Sequence, residues 1–267
     1  MNLEGNRYLF DGGIDPLELC NKYDCPLYVY DTGMMKRQYD RLVNAFDVKQ
    51  IKINYACKAL TNISILKFFK RLGSGLDAVS IQEVRLGLKV GFSPEDIIYT
   101  PNGVSLDEIR MAAELGVKIN IDNISILEQF GQEFKDVPVC IRINPHIMAG
   151  GSSKISVGHI DSKFGISFHQ MPLVKRVLKA TDLKVEGVHM HTGSDIMDAN
   201  VFLMGAEILF NIAKDFTDLK YIDFGSGFKV PYKENDIETD IEDLGVKISE
   251  RFVARASLKE ITPPPID

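Results

Sequence analysis

Short apolar runs alternate with longer amphipathic segments along most of this chain. The apolar runs predict β-strands at residues 51–56, 75–79, 97–100, 117–121, 137–143, 184–190 and 219–223. The amphipathic segments predict helices at residues 62–72, 80–90, 105–115, 123–134, 169–180, 198–216 and 237–252. Because strands and helices that alternate in this way form βα units around a parallel sheet, the pattern predicts an α/β fold. Seven such units are one short of a closed (β/α)8 barrel.

The segments on either side of this repeating part have a different pattern. Residues 1–31 are expected to form a lead-in, with strands at 7–11 and 26–30 and a helix over Asp15–Tyr23 that has proline at its first position. A helix over 32–46 then opens the barrel domain, which is expected to end at residue 252. Residues 253–267 contain three consecutive prolines and are expected to be an irregular tail.

A long connection interrupts the otherwise short loops of the predicted barrel. It runs from Asn144 to Gly165 and contains four glycines. A loop of roughly 20 residues inside a compact domain is usually functional or disordered, and we interpret this one as functional.

Composition and charge exclude several classes of protein. The chain has 267 residues, 45% of them hydrophobic, and a net charge of −6 without a long basic cluster. This argues against nucleic acid or an anionic membrane as a partner and favours a small molecule or another protein. The four cysteines, Cys20, Cys25, Cys57 and Cys140, include no C-x-x-C pair, which favours reduced thiols. With neither a leader nor a long apolar stretch in view, we expect a cytoplasmic protein.

Lys58 is the first candidate for chemistry, because apolar residues lead up to it at the end of the first predicted barrel strand. Parallel α/β proteins build their sites at the carboxyl ends of the strands. A lysine stem buried beside Tyr55 and Cys57 would have a lowered pKa, as a Schiff-base lysine needs. The alternative is an ordinary surface lysine.

Other predicted strands also end in polar residues. Asp77 and Glu83 follow the second barrel strand, and Glu83 has a second interpretation as a residue in the first turn of the next helix. Arg142 lies between apolar residues near the end of the fifth strand. An arginine there is either paired at the barrel mouth or buried at a high cost in free energy.

The last two predicted strands end in histidines and glycines. His189 and His191 alternate and so point to the same side of their strand. They could bind a metal, but no third ligand is near, so we predict no metal and prefer one histidine packed against an aromatic cofactor. Ser194 then follows in a turn that could face an anion. Gly225-Ser226-Gly227 would let backbone N–H groups approach a phosphate, although a simple tight turn is the alternative.

Six segments resemble one protein family and occur in its order across residues 53–232. They are NYACKAL, GLDAVSIQEV, INP, KISVGHIDSKFGI, GVHMHTGSD and DFGSGFKVPY. The chain is similar to the barrel domain of the pyridoxal-phosphate decarboxylases that share a fold with alanine racemase, and most similar to their diaminopimelate branch. The resemblance implies pyridoxal phosphate as cofactor, a TIM-type (β/α)8 barrel and a homodimer.

The resemblance also assigns roles to the candidate residues. It implies that Lys58 forms the Schiff base with pyridoxal phosphate and that His191 stacks on the pyridine ring. Ser194 and the segment Gly225–Gly227 would hold the phosphate. The remaining residues would line the ring or border the substrate: Asp77, Glu83 and Arg142 around the ring, and Lys163 in the substrate loop.

The implied reaction removes the α-carboxylate of meso-diaminopimelate as carbon dioxide and gives L-lysine, the last step of lysine biosynthesis. Two family features are missing from this sequence: a Glu-Pro-Gly motif after an eighth strand, and a C-terminal β domain with which residues 1–31 would pair. We therefore expect a chain truncated before strand eight. The alternatives are an inactive pyridoxal-phosphate-binding or regulatory homologue, and a sister decarboxylase for ornithine, arginine or carboxynorspermidine.

Overall fold

A computed structural model describes residues 2–10, 12–147, 158, 162–233 and 235–257. The chain divides into two compact units, Met1–Asn44 and Ala45–Asp267. The first unit includes the helix that was expected to open the barrel domain, so this division differs from the predicted boundary at residue 31 by one helix.

The first unit contains a hairpin and two helices. Strands β1 (Asn2–Glu4) and β2 (Arg7–Leu9) pair antiparallel, and helices α1 (Pro16–Tyr23) and α2 (Thr32–Asn44) follow. Asp15 caps α1 by accepting the N–H of Leu17 at 2.8 Å. The predicted strand at 26–30 is wrong: that segment is irregular, and its apolar side chains are exposed. Nothing in the described unit pairs with it, and a strand forms only where a neighbour completes its hydrogen bonds.

The second unit is built on a curled parallel sheet with helices on its outer face. Its strands are β3 (Asn54–Ala56), β4 (Gly75–Ala78), β5 (Ile97–Tyr99), β6 (Lys118–Ile121), β7 (Val139–Asn144), β8 (Ile166–Ser167), β9 (Val185–Met190) and β10 (Tyr221–Asp223). Its helices are α3 (Ile63–Arg71), α4 (Ile81–Val90), α5 (Leu106–Glu114), α6 (Ile124–Glu133), α7 (Met171–Thr181), α8 (Ala199–Ala213) and α9 (Ile241–Ser257).

The strand order is β10-β9-β7-β6-β5-β4-β3, with the two-residue strand β8 paired to β7. All of these pairs are parallel, which confirms the predicted α/β fold and an incomplete (β/α)8 barrel of about seven units. In the described chain the edge strands β3 and β10 each pair on one side. A cavity of about 840 Å³ opens at the amino end of the sheet, bounded in part by Gln50–Lys52 and Lys220–Tyr221.

The two faces of the sheet differ in chemistry because side chains alternate along each strand. On β7, the side chains of Val139, Ile141 and Ile143 belong to the main apolar core, together with those of the outer helices. Arg142 and Asn144 are buried on the opposite, concave face. The same alternation places on that face Asp77, Asn120, His189 and Asp223.

Three details correct the sequence predictions. Strand β8 comes directly after the predicted Asn144–Gly165 loop, in two residues for which no strand was predicted. Helix α9 begins at Ile241 rather than 237 and continues to Ser257, so the first five residues of the predicted irregular tail are helical. The rest of the predicted tail and most of the Asn144–Gly165 connection lie outside the described residues.

Candidate active site

Lys58 lies at the carboxyl end of β3, on a single turn of 3-10 helix formed by Cys57–Ala59. The turn buries Cys57 and leaves Lys58 exposed. Tyr55 stacks on Phe69 of α3, with ring centroids 4.2 Å apart, and so lies on the helix side of the strand. The expectation that the lysine stem is buried beside Tyr55 and Cys57 is therefore wrong. Its ammonium still acts on the concave face, where its charge lowers the pKa values of Asp77, His189 and His191.

Asp77 lies on β4, in register with Ala56 of the neighbouring strand β3, two residues before Lys58. Burial raises the pKa of its carboxyl, while a hydrogen bond from Thr100 and the charges of Lys58 and Arg142 oppose that rise. Its Oδ1 atom is buried and has no hydrogen-bond partner among the residues that the structure describes. A buried carboxylate oxygen without a partner is costly, so this atom is a point at which a bound group could be held.

Glu83 lies in the first turn of α4, and its second interpretation is the one the geometry supports. Ser80 caps the helix by accepting the N–H of Glu83 at 3.2 Å, and Glu83 Oε2 accepts the N–H of Val79 at 2.8 Å. This is a variant of the capping box. The Glu83 charge also raises the pKa values of Asp77 and Cys57.

Arg142 is the buried cation of the concave face. Its guanidinium lies over the ring of Phe164, 4.7 Å from the centroid, and burial lowers its pKa. The carboxylates of Asp122, Asp77 and Asp223 oppose that shift, in that order of strength. Three carboxylates therefore compensate the charge of Arg142 at the barrel mouth, which agrees with the interpretation that this arginine is paired there.

The two histidines have different surroundings although they are only two residues apart. His189 is buried, with Nδ1 2.7 Å from the Asn120 amide and Nε2 4.0 Å from Asp223 Oδ2. His191 comes just after the strand and is half-buried. Burial, Arg142 and Lys58 lower the pKa of His191 to about 4, so its ring is neutral at pH 7.

The glycine segment after β10 packs closely against the turn after β9. A Cβ on Gly225 would lie 2.4 Å from the carbonyl oxygen of Met190, and one on Gly227 would lie 1.9 Å from that of Gly193. Both glycines have positive φ, +64° and +111°. The Gly225 N–H donates to Asp223 Oδ1 at 2.7 Å, so this residue serves mainly to form the turn.

The remaining predicted residues lie around this mouth. Ser194 and Ser226 are exposed in the two facing turns. Lys163 is also exposed, with its ammonium 5.0 Å from the centroid of the Phe164 ring, and its carbonyl accepts the Asn102 amide at 3.3 Å. The sequence-predicted residues thus occupy the carboxyl ends of β3, β4, β7, β9 and β10, on one side of the sheet.

Sequence reasoning missed several polar groups of the site. Asn120 and Asp122 lie at and just after β6, and Asp223 ends β10. The sequence pattern could have identified them, because each is a polar residue among apolar ones at the carboxyl end of a predicted strand. Within the described ranges no group of three or more histidine, cysteine or acidic side chains is arranged to hold a metal ion.

The site geometry agrees with the comparison with known families. The sequence profile described as "Pyridoxal-dependent decarboxylase, pyridoxal binding domain" matches residues 32–262. The chain belongs to this family. Its cofactor is therefore pyridoxal phosphate, and the incomplete barrel is the pyridoxal-binding domain.

Individual members of the family are similar over nearly the whole chain. The diaminopimelate decarboxylase of Methanothermobacter thermautotrophicus is 34% identical over 258 residues, which cover 94% of this chain and 60% of that protein. The enzyme of the same name from Bacillus subtilis is 32% identical, with coverage of 92% and 60%. The crystal structure of diaminopimelate decarboxylase from Helicobacter pylori complexed with L-lysine superposes with a TM-score of 0.82 at 29% identity, covering 94% of this chain and 65% of that one.

These relatives are longer proteins of the alanine racemase-like fold, and the chain spans about 60% of their length. The part that it spans is their N-terminal barrel domain. No helix in the described part of the chain is both long and apolar enough to cross a membrane.

Proposed function

We propose that this chain is the cofactor-binding half of an amino-acid decarboxylase that converts meso-diaminopimelate to L-lysine and carbon dioxide. The observation that carries the proposal is the position of Lys58. It is an exposed amine at the carboxyl end of β3, within electrostatic reach of Asp77, His189 and His191. The names of the relatives supply the substrate and the reaction, and the Helicobacter pylori structure is complexed with L-lysine.

The residues present fit pyridoxal phosphate in two respects. The Oδ1 atom of Asp77 has no hydrogen-bond partner among the described residues, so it could accept a hydrogen bond from a group bound at the mouth. The turn over Gly225–Gly227 comes so close to the turn after β9 that side chains are excluded there. A glycine turn also lets backbone N–H groups approach a phosphate, and Ser194 and Ser226 are exposed beside it.

Each residue then has a distinct task. Lys58 would hold the cofactor covalently through Nζ, and His191 would lie against its ring as a neutral imidazole that adds no positive charge. Arg142 and Asp77 would balance charge at the mouth, while Lys163 would border the substrate. When bound, the cofactor supplies an electron sink for the electron pair left by the departing carboxylate.

Two other functions fit the same cofactor residues. An inactive pyridoxal-phosphate-binding or regulatory homologue would show the same cofactor residues without turnover. A sister decarboxylase for ornithine, arginine or carboxynorspermidine is a third candidate, and homodimer formation and a cytoplasmic location stay predictions.

The first experiment is an absorbance spectrum of the purified chain with pyridoxal phosphate, before and after borohydride reduction, followed by peptide mapping. We expect reduction onto Lys58, loss of the adduct in Lys58→Ala, and an unchanged adduct in Lys67→Ala, which alters an exposed lysine of α3. An adduct that survives Lys58→Ala would overturn the site. Release of carbon dioxide from meso-diaminopimelate, with ornithine and arginine as competitors, then separates the decarboxylases from the inactive homologue.

A further inference from the structure

The first unit brings together two cysteines that are five residues apart in sequence. Cys20 lies in the last turn of α1, which ends at Asp24 with φ 71° and ψ 172°. The Asp24 N–H donates to the carbonyl of Cys20 at 2.8 Å, and the Cys25 N–H donates to Asp24 Oδ1 at 2.9 Å. This reversal of the chain turns Cys25 back towards the end of α1, and the Cys25 thiol comes close enough to Cys20 to raise the pKa of the Cys20 thiol.

The pair differs from the other cysteines in its exposure. Cys25 is exposed and Cys20 half-buried, whereas Cys57 and Cys140 are buried. Reagents in solution therefore reach Cys25 first. The neighbouring Cys25 thiol, with a smaller contribution from burial, raises the pKa of the Cys20 thiol, which favours Cys25 over Cys20 as the first thiol to react.

We propose that Cys20 and Cys25 are a site of reversible oxidation that reacts with low-molecular-weight disulfides to form an intramolecular disulfide. The Cys25 thiolate attacks one sulfur of the external disulfide, whose S–S bond breaks and releases one thiol. The Cys20 sulfur then attacks Cys25, loses its proton and expels the second thiol. Two protein thiols are oxidised, and one external disulfide is reduced to two thiols.

The disulfide would fix the end of α1 relative to the irregular segment that follows it. That segment exposes Leu27, Tyr28, Val29 and Tyr30. Closing the ring over residues 20–25 would restrict the conformations of the chain that leads into this apolar stretch. The oxidation state of the pair would thus change the rigidity of one surface of the first unit.

The test uses the reduced native chain equilibrated with glutathione and glutathione disulfide at several ratios, then quenched with a thiol alkylating reagent. Trypsin cleaves after Lys22, between the two cysteines, so the disulfide joins two peptides that mass spectrometry identifies directly. We expect this linked pair, with Cys57 and Cys140 alkylated only after unfolding. In Cys20→Ser we expect Cys25 to retain glutathione as a mixed disulfide.

A comparison in urea distinguishes an organised site from chance proximity along the chain. Because the fold holds the sulfurs together, the native chain should reach half oxidation at a glutathione ratio at least about tenfold more reducing than the urea-unfolded chain. Equal ratios in the two states would overturn the proposal. It would also be overturned if wild-type Cys25 carried glutathione at every ratio without forming the linked peptides.

Discussion

The side-chain amide of Asn120 lies 2.7 Å from Nδ1 of His189, and both side chains are buried on the concave face. Burial holds the pKa of His189 well below its usual value, so the ring is neutral at pH 7. With the amide donating to Nδ1, the ring proton is on Nε2 and faces the Asp223 carboxylate 4.0 Å away. His189 therefore links β6, β9 and β10.

This arrangement predicts that substitutions of the two histidines affect stability and cofactor binding to different extents. His189→Ala should lower the free energy of unfolding by about 2–3 kcal/mol, because it opens a cavity and leaves the Asn120 amide without its partner. His191→Ala should cost less stability, since that ring is half-buried, but should weaken pyridoxal phosphate binding more. Urea unfolding and cofactor titration of each variant measure the two effects. Equal losses of cofactor affinity would count against a stacking role for His191.

Acid should destabilise the folded chain through His191. An unfolded histidine has a pKa of about 6.5, whereas the folded value is about 4. Between these values the unfolded chain binds a proton that the folded chain does not, so protonation favours unfolding. The contribution is absent above pH 6.5, grows as the pH falls to about 4 and then levels off, with a slope of at most about 1.4 kcal/mol per pH unit.

His191→Gln tests this sign, because it removes the titrating ring and keeps a neutral polar side chain. We expect the free energy of unfolding to decline less steeply in the variant than in the wild type between pH 6.5 and 4. Asp77 titrates in both proteins and so cancels in the difference, whereas the loss of the His191 charge also relieves the lowered pKa of His189 and changes the slope in the same direction. Parallel declines would show that His191 does not carry a lowered pKa in the folded state.

The sequence predicted the repeating strands and helices well because each buries one apolar face, which fixes its periodicity. It failed where a partner decides the structure. Residues 26–30 have the composition of a strand but no neighbouring strand in the described chain, while β8 is two residues that pair with the end of β7. The proximity of Cys20 and Cys25 was missed because it arises from the backbone conformation of Asp24, which no spacing rule predicts.

Substitutions of Glu83 distinguish a structural role of its carboxylate from a catalytic one. Its carboxylate accepts the N–H of Val79, so Glu83→Ala should lower the free energy of unfolding by about 1 kcal/mol through loss of the cap. Glu83→Gln keeps an acceptor and should retain most of that stability. Glu108 occupies the same third position of α5, where Ser105 makes no capping hydrogen bond, and Glu108→Ala is the matched control. If Glu83→Gln abolishes decarboxylation with its stability intact, the carboxylate has a role beyond the cap.

The glycine turn after β10 should tolerate no side chain. Alanine at residue 225 would meet the carbonyl of Met190 at 2.4 Å, and alanine at residue 227 would meet that of Gly193 at 1.9 Å. Real Cβ atoms do not approach oxygen so closely, so the turns after β9 and β10 must move apart. We expect Gly225→Ala and Gly227→Ala to weaken pyridoxal phosphate binding and to lower the free energy of unfolding, as measured by cofactor titration and urea unfolding.

Gly103 provides a control that distinguishes the cost of the close contact between the turns from the cost of the left-handed backbone conformation. Its φ of +66° matches the +64° of Gly225, but a Cβ there would meet nothing within 4 Å. Gly103→Ala should therefore cost only the left-handed conformation, about 1–2 kcal/mol, and leave cofactor affinity unchanged. Gly225→Ala should cost about 1–3 kcal/mol more, because the turns must also shift. Equal losses in the two variants would mean that the contact between the turns is not tight in solution, and the turn after β10 would then lose its place as the proposed phosphate site.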